Sequence, residues 1–386
     1  MEKKVIFLII IILILGVTFF LVNPDNSQET EETEELTQEL SFEENQWNSV
    51  FEKAFEEVDC PEPRDPSSLP DGYYKGPMID THIHMQSLPE EPNILPHLYD
   101  TENVGAKSSM DEWRCMLDVE GTKQAFVFYP VWNPIIEKHI EFVEKAEEKY
   151  PDRFIPFIMP PDNDGSPDGY PTVDAEELES MLDISPGLFR GYGEIGLYAR
   201  QGGAAALPPD SERLNEIYPI VRKNSLIVYV HLGEGHKESL MRAAAANQDI
   251  TFIFHGDQLI DCEECDGTHS QIEEMLENNP NIYYGVDEIY GGEWLLRPGV
   301  TKEEFISHFE DYGSLIQYDL ERFKEFIEEH PDQVLWGTDR GWSGNWDRDP
   351  DVALVLNDYA RFFIGHLDPA VQEKLAYKNA EKILNS

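Results

Sequence analysis

Between residues 76 and 386, short apolar runs alternate with amphipathic helical patterns, and this rhythm limits the fold more than any other feature of the chain. The runs cover residues 78–84, 124–129, 153–159, 188–194, 226–231, 251–255, 282–286 and 334–339. Between them lie helical patterns at 135–149, 175–182, 211–223, 237–246 and 271–277. Longer ones follow at 305–329, with a break expected near Gly313, at 352–364 and at 369–384. Strands that alternate with helices predict βα units and a parallel sheet. Eight such units in roughly 310 residues predict a (β/α)8 TIM barrel, for which ~250 residues is typical. A doubly wound open sheet is the competing topology, but no glycine-rich phosphate loop follows the first run.

The segment before the barrel has a different composition. Residues 5–22 read VIFLIIIILILGVTFFLV, without a charge, and span ~27 Å as a helix, close to the thickness of a bilayer core. Lys3 and Lys4 precede this run and acidic residues follow it. The charge rule therefore predicts a cytoplasmic stub at 1–4, an anchor at 5–22 and the remainder outside the cell. A cleaved signal peptide is the alternative, though no small-x-small site follows Val22. The sequence thus predicts a single-pass cell-membrane protein with an extracellular catalytic domain. Residues 23–75 read as an acidic linker, with nine acidic residues and no Lys or Arg between Asp25 and Gln46. Phe42, Trp47, Val50, Phe51, Phe55 and Val58 predict an amphipathic helix near 42–58.

Charge excludes one class of partner. With 76 acidic against 29 basic side chains, the net charge is -47, and a phosphate backbone would be repelled. A small-molecule substrate is expected, and the sequence says nothing about oligomeric state. The acidic excess predicts stability that rises with salt, as counterions screen the self-repulsion.

The polar residues of interest fall at the ends of the predicted strands, where such barrels carry their active sites. His82 and His84 are two apart, so a regular strand points both imidazoles to one side. Glu194, His231, His255 and Asp339 close the fourth, fifth, sixth and eighth runs. Alone, each has an ordinary explanation: Glu194 can pair with Arg190, and His255 can be a satisfied core histidine. As a set, imidazoles and carboxylates on five strand ends predict a site for a divalent metal.

The order HxH, Glu, His, His, Asp over eight βα units resembles the metal-dependent amidohydrolase superfamily across residues 76–386. Tyr377-Lys378-Asn379-Ala380 is similar to the ending of the amidohydrolase-related branch, which includes aminocarboxymuconate-semialdehyde decarboxylase-like enzymes. Gly193-Glu194-Ile195-Gly196-Leu197 is similar to the TatD-like branch, whereas Thr338-Asp339-Arg340-Gly341-Trp342 is not its ending. The resemblance implies one metal on His82, His84 and Asp339, a second on His231 and His255, and Glu194 as the bridge. Zinc is the superfamily's usual ion, and Asp339 would move the proton of the attacking water. The other branch implies a single ion on His82, His84, His231 and Asp339, with His255 as the catalytic group that polarises the substrate.

Three functions follow as expectations: a hydrolase of an amide, ester, lactone or similar bond, a metal-dependent decarboxylase, and a silent surface-anchored binding module. Arg340, Trp342 and Trp346 are expected to line a pocket or to pack at the surface. Tyr192 is expected on Glu194's side of its strand, in the barrel core, and His236 at the start of a helix. His97, His139, His269, His308, His330 and His366 read as solvated or capping residues. Four cysteines allow three pairings; Cys60–Cys115 with Cys262–Cys265 is the preferred one.

Overall fold

The computed structural model describes residues 44–386 except 90–107, 162–168, 200–204, 261–266, 288, 293–294, 296–298 and 342–348. The apolar span 5–22, most of the acidic linker, His97, Cys262, Cys265, Trp342 and Trp346 lie outside the described residues. Among the described residues no helix is long and apolar enough to cross a membrane. The chain divides into two compact units, 1–50 and 51–386. A helix runs over residues 44–54.

Eight strands form the second unit's sheet: β1 Met78–His84, β2 Thr122–Pro130, β3 Phe154–Met159, β4 Gly191–Gly196, β5 Ile227–His231, β6 Phe252–His255, β7 Ile282–Val286 and β8 Val334–Trp336. They pair in sequence order and in parallel, as a sheet built from successive βα units must. Closure from β8 to β1 runs through a parallel bridge between Ile83 and Arg340, where the His84 N–H donates to the Arg340 carbonyl at 2.7 Å. The result is a nearly closed eight-stranded barrel consistent with the (β/α)8 architecture.

Strands covered on both faces are built from continuous apolar runs, hence IVYVH in β5 and FIFH in β6. Ile79, Phe126, Phe128, Phe157, Tyr229, Ile253 and Leu335 fill the interior, and Ala380 and Ile383 join the same cluster from the C-terminal helix. Phe128 meets Phe157 and Tyr229 edge-on at 5.4 and 4.8 Å, the geometry aromatic quadrupoles favour.

The structure refines the sequence expectation in several places. A helix at Met110–Glu120 precedes β2; its signal is the capping box of Ser109 and Glu112, with Gly121 in the left-handed region (φ 72°) as its stop. The break expected near Gly313 is present: the pattern at 305–329 is two helices, Lys302–His308 and Tyr312–Glu329, each with its own N-cap, Thr301 and Asp311. β8 ends at Trp336, three residues before Asp339. Cys60 and Cys115 form a disulfide with Cα atoms 5.4 Å apart, which ties the segment after residue 54 to the Met110–Glu120 helix.

Asp319, in the Tyr312–Glu329 helix, is fully buried and accepts from the Gly291 N–H and the Tyr359 hydroxyl, both at 2.8 Å. Burial outweighs these bonds and pushes its pKa up to about 6. The folded state therefore holds this proton more tightly than the unfolded chain does. The contribution is full below pH ~4 and is lost as pH rises through about 6. Asp319→Asn should flatten this part of the stability profile and raise stability at pH 8 by ~1–3 kcal/mol, measured by urea unfolding at pH 5 and pH 8.

Candidate metal centre

Two irregularities in the sheet create the site. In β1 the register slips between Asp80 and Ile83, and in β4 between Tyr192 and Ile195. Such bulges re-aim side chains. In β1, Ile79 packs in the barrel core, and past the slip His82 and His84 converge with their Nε2 atoms 3.1 Å apart. In β4 the slip separates two residues that simple alternation would pair. Tyr192 places its hydroxyl 2.5 Å from Thr172, whereas Glu194 reaches the imidazoles. The expectation that Tyr192 shares Glu194's side fails for this reason. Gly193, at φ 131°, permits the slip, since a Cβ there would lie 2.1 Å from the Tyr229 carbonyl oxygen.

Glu194 stands at the centre. Its Oε1 is 2.6 Å from His255 Nε2 and 3.2 Å from His231 Nδ1. Its Oε2 is 3.2 Å from His84 Nε2 and 3.7 Å from His82 Nε2. Asp339 Oδ1 completes the second group, 3.1 Å from His84 Nε2 and 3.2 Å from His82 Nε2. All six residues named from the sequence thus meet at one rim of the barrel. Arg190 is not Glu194's partner, because its guanidinium donates to the Leu384 carbonyl at 2.7 Å. Asp339 adopts φ 50°, a left-handed conformation that Asp tolerates better than most residues.

Sequence reasoning missed two carboxylates. Asp287 follows β7 directly and is buried, with Oδ2 2.8 Å from both His82 Nδ1 and His255 Nδ1. No motif marks it: only its place at a strand end gave a signal. Asp80, on β1, lies beneath the site and is fully buried. It accepts from the backbone N–H of His82 at 3.0 Å and of Thr338 at 3.1 Å, and from the Thr338 hydroxyl at 2.6 Å. Arg340 pairs with Asp80 at 3.3 Å and with Glu120 at 2.6 Å. It is fully buried, so neither the pocket-lining nor the surface role expected for it holds.

Other expectations change as well. His139 is buried inside its helix, neither solvated nor capping, and burial lowers it to about 4; His269 is buried too, stacked on Phe326 at 4.4 Å, but does stand at the N-cap of the Ser270–Asn278 helix. His236 does stand at a helix start, the N-cap of Lys237–Ala246. Tyr198, not singled out in the sequence, lays its ring against His231 at 4.6 Å. Burial, then the charges of Glu194 and Asp339, push its hydroxyl up to about 12. Gln258 places its amide 2.6 Å from His231 Nε2.

The electrostatics fit a cation. Burial disfavours charged imidazoles, but the carboxylates outweigh it. Against burial, Asp339 and Glu194 push His84 up to about 9, and Asp287 and Glu194 hold His255 well above its ordinary range. Despite burial, His255 and His231 hold Glu194 well below the usual carboxylate range. The carboxylates therefore favour protons on the ring nitrogens. Divalent cations can take their place, and the donor set of imidazole nitrogen and carboxylate oxygen suits zinc or a similar ion. Three groups of side chains bring their ligand atoms close enough for this: His82, His84 and Glu194; Glu194, His231 and His255; and His82, His255, Asp287 and Asp339.

A barrel with this rim belongs to the metal-dependent enzymes. The amidohydrolase family model matches residues 79–385, and the chain belongs to that family: it is a metal-dependent hydrolase or a related enzyme. No curated protein sequence matches it. Solved structures resemble it at low identity. A probable 2-pyrone-4,6-dicarboxylic acid hydrolase from Acinetobacter baumannii with citric acid bound is 13% identical, covers 80% of this chain and 99% of its own, and has a TM-score of 0.48. An amidohydrolase from Burkholderia multivorans with bound zinc is 12% identical, with coverage of 80% and 99% and a TM-score of 0.47. A dihydroxybenzoic acid decarboxylase from a Polaromonas species, with bound manganese and an inhibitor, is 11% identical, with coverage of 80% and 97% and a TM-score of 0.44.

Arg340→Met should remove the one cation between two buried carboxylates, Asp80 and Glu120, and cost ~3–5 kcal/mol in urea unfolding. A loss below 1 kcal/mol would show that the ion-paired seam is dispensable.

Proposed function

We propose that the chain is a two-metal hydrolase that directs an activated water at an amide, ester, lactone or similar bond of a small molecule. One observation carries this reading. The two oxygens of Glu194 face different donor groups, Oε1 toward His231 and His255, Oε2 toward His82 and His84. A carboxylate so divided is suited to bridge two ions. His82, His84 and Asp339 would hold one, and His231 and His255 the other. Bound divalent cations, of which zinc is the family's usual one, supply a water acidified toward neutral pH and polarisation of the scissile carbonyl.

The protein's own groups do the rest. Asp339 Oδ1 lies within hydrogen-bond reach of both β1 imidazoles, at the edge of the cluster. It accepts the proton of the attacking water and delivers it to the departing nitrogen or oxygen. Glu194 would stay ionised, because a carboxylate held between two cations keeps its charged form far below neutral pH. It therefore keeps its charge through the cycle and does not compete with Asp339 for the proton.

Elemental analysis of the purified protein should find about two equivalents of divalent metal, and a panel of esters, lactones, amides and carboxylates should reveal turnover in one of the first three. Asp339→Asn should keep most of the metal and lose ~10²–10⁴-fold in kcat. About one equivalent, with release of carbon dioxide from a carboxylate, would replace this reading with the decarboxylase. Full metal without turnover of any kind would favour the binding module.

We also propose that residues 5–22 anchor the protein in the cell membrane with the barrel outside. The Cys60–Cys115 disulfide supports this placement, since such bonds persist in oxidising surroundings. The barrel should stay with membranes through an alkaline wash and be cut by protease added to intact cells. Recovery in the soluble fraction, or protection from the protease, would refute it.

A further inference from the structure

The geometry points to Asp287 as a positioning residue that couples the two proposed metal half-sites through a single oxygen atom. This rests on the two-metal reading above. Glu194 Oε2 faces His82 and His84, with Asp339 close to both, whereas Oε1 faces His255 and His231, so the two-metal reading puts His82 in one half-site and His255 in the other. The two rings meet edge-on with centroids 4.3 Å apart, and on the side away from Glu194 both present Nδ1 to Asp287 Oδ2, at 2.8 Å each. A neutral imidazole carries one proton. When Nδ1–H donates to Asp287, Nε2 is left bare, and Nε2 is the atom that both rings turn toward Glu194. A carboxylate oxygen has room for two donors, and its charge strengthens both bonds. One atom therefore sets tautomer, orientation and basicity for a ligand in each half-site.

The surroundings keep that atom in place. Asp287 is buried next to the end of β7, and the Tyr229 hydroxyl stands 3.4 Å from His82 Nδ1 on the same side. Gly285, two residues back, keeps the strand close, since a Cβ there would lie 2.9 Å from that hydroxyl and 3.5 Å from His255 Cβ. Gln258 provides a contrast: its amide sits 2.6 Å from His231 Nε2 and, with the amide oxygen turned to that nitrogen, would steady a ligand of one half-site only.

The test is a competition titration of the apoprotein with Zn2+ against a chromophoric chelator, for wild type, Asp287→Asn and Gln258→Leu, with apoprotein melting recorded in parallel. Wild type should load two equivalents. Asp287→Asn should weaken both steps by ~10–100-fold, the range for loss of a group that orients a ligand. Gln258→Leu should weaken one step. If wild type loads two equivalents and Asp287→Asn weakens one step or neither, the coupling is refuted while the two-metal reading stands. Fewer than two equivalents in wild type refutes both. Should Asp287→Asn not fold, ring 15N NMR of the zinc-loaded wild type decides alone. Protonated Nδ1 on both His82 and His255 supports the proposal, and a bare Nδ1 on either ring overturns it.

Discussion

The rim depends on one buried carboxylate at the seam of the barrel. Asp80 Oδ1 accepts the N–H groups of His82 and Thr338, two backbone segments that come from opposite ends of the strand order. Its other oxygen takes the Thr338 hydroxyl and Arg340. Asp80 therefore fixes β1 just below the histidine pair and the chain after β8 just before Asp339. Gly337 allows the approach, since a Cβ there would lie 2.8 Å from the His82 Cβ. Three buried charges without full compensation are costly: burial pushes Asp80 up to about 6 even against Arg340. Such a network fits a place where two strands must hold ligands in register better than it fits a source of stability.

The order of the strands was legible because apolar runs and helical periodicity are local. β1 and β7 coincide with the expected runs, residues 78–84 and 282–286. The convergence of His82, His84, Glu194, His231, His255 and Asp339 was legible for a related reason: in a barrel of successive βα units, residues at strand ends become neighbours whatever their separation along the chain. The bulges were not legible. Alternation places Tyr192 with Glu194, and only the register slip in β4 separates them. Asp287 and Asp80 were also hidden. Nothing in the identity of an aspartate tells whether it ligates, orients or packs, and both act through contacts made by folding. Arg340 was misread because an arginine next to a catalytic loop suggests exposure, whereas its two carboxylate partners bury it.

Charge ties the site to its surroundings. The described cluster holds three carboxylates, Glu194, Asp287 and Asp339, among four imidazoles. With the imidazoles neutral, the two divalent cations proposed above would outweigh the carboxylates by one positive charge. That surplus would favour loss of a proton from a water in the site and stabilise negative charge on a carbonyl oxygen under attack. The same carboxylates raise His84 and His255, since they favour positive charge at the ring nitrogens whether a proton or a cation carries it. Loading and chemistry therefore draw on the same electrostatic balance, and the residues that orient the imidazoles matter as much as those that face the ions.

The same reasoning bears on what can approach. A net charge of -47 raises the concentration of cations near the protein and lowers that of anions. Screening confines this field to ~8 Å at physiological ionic strength, so only the acidic groups near the rim act on a molecule about to enter. A neutral amide, ester or lactone crosses that zone without penalty. A carboxylate substrate must cross it against repulsion and recovers the cost only on reaching the cations. Divalent ions, in contrast, are gathered by it. An acidic chain thus favours metal loading and neutral substrates together, which agrees with the hydrolytic reading proposed above.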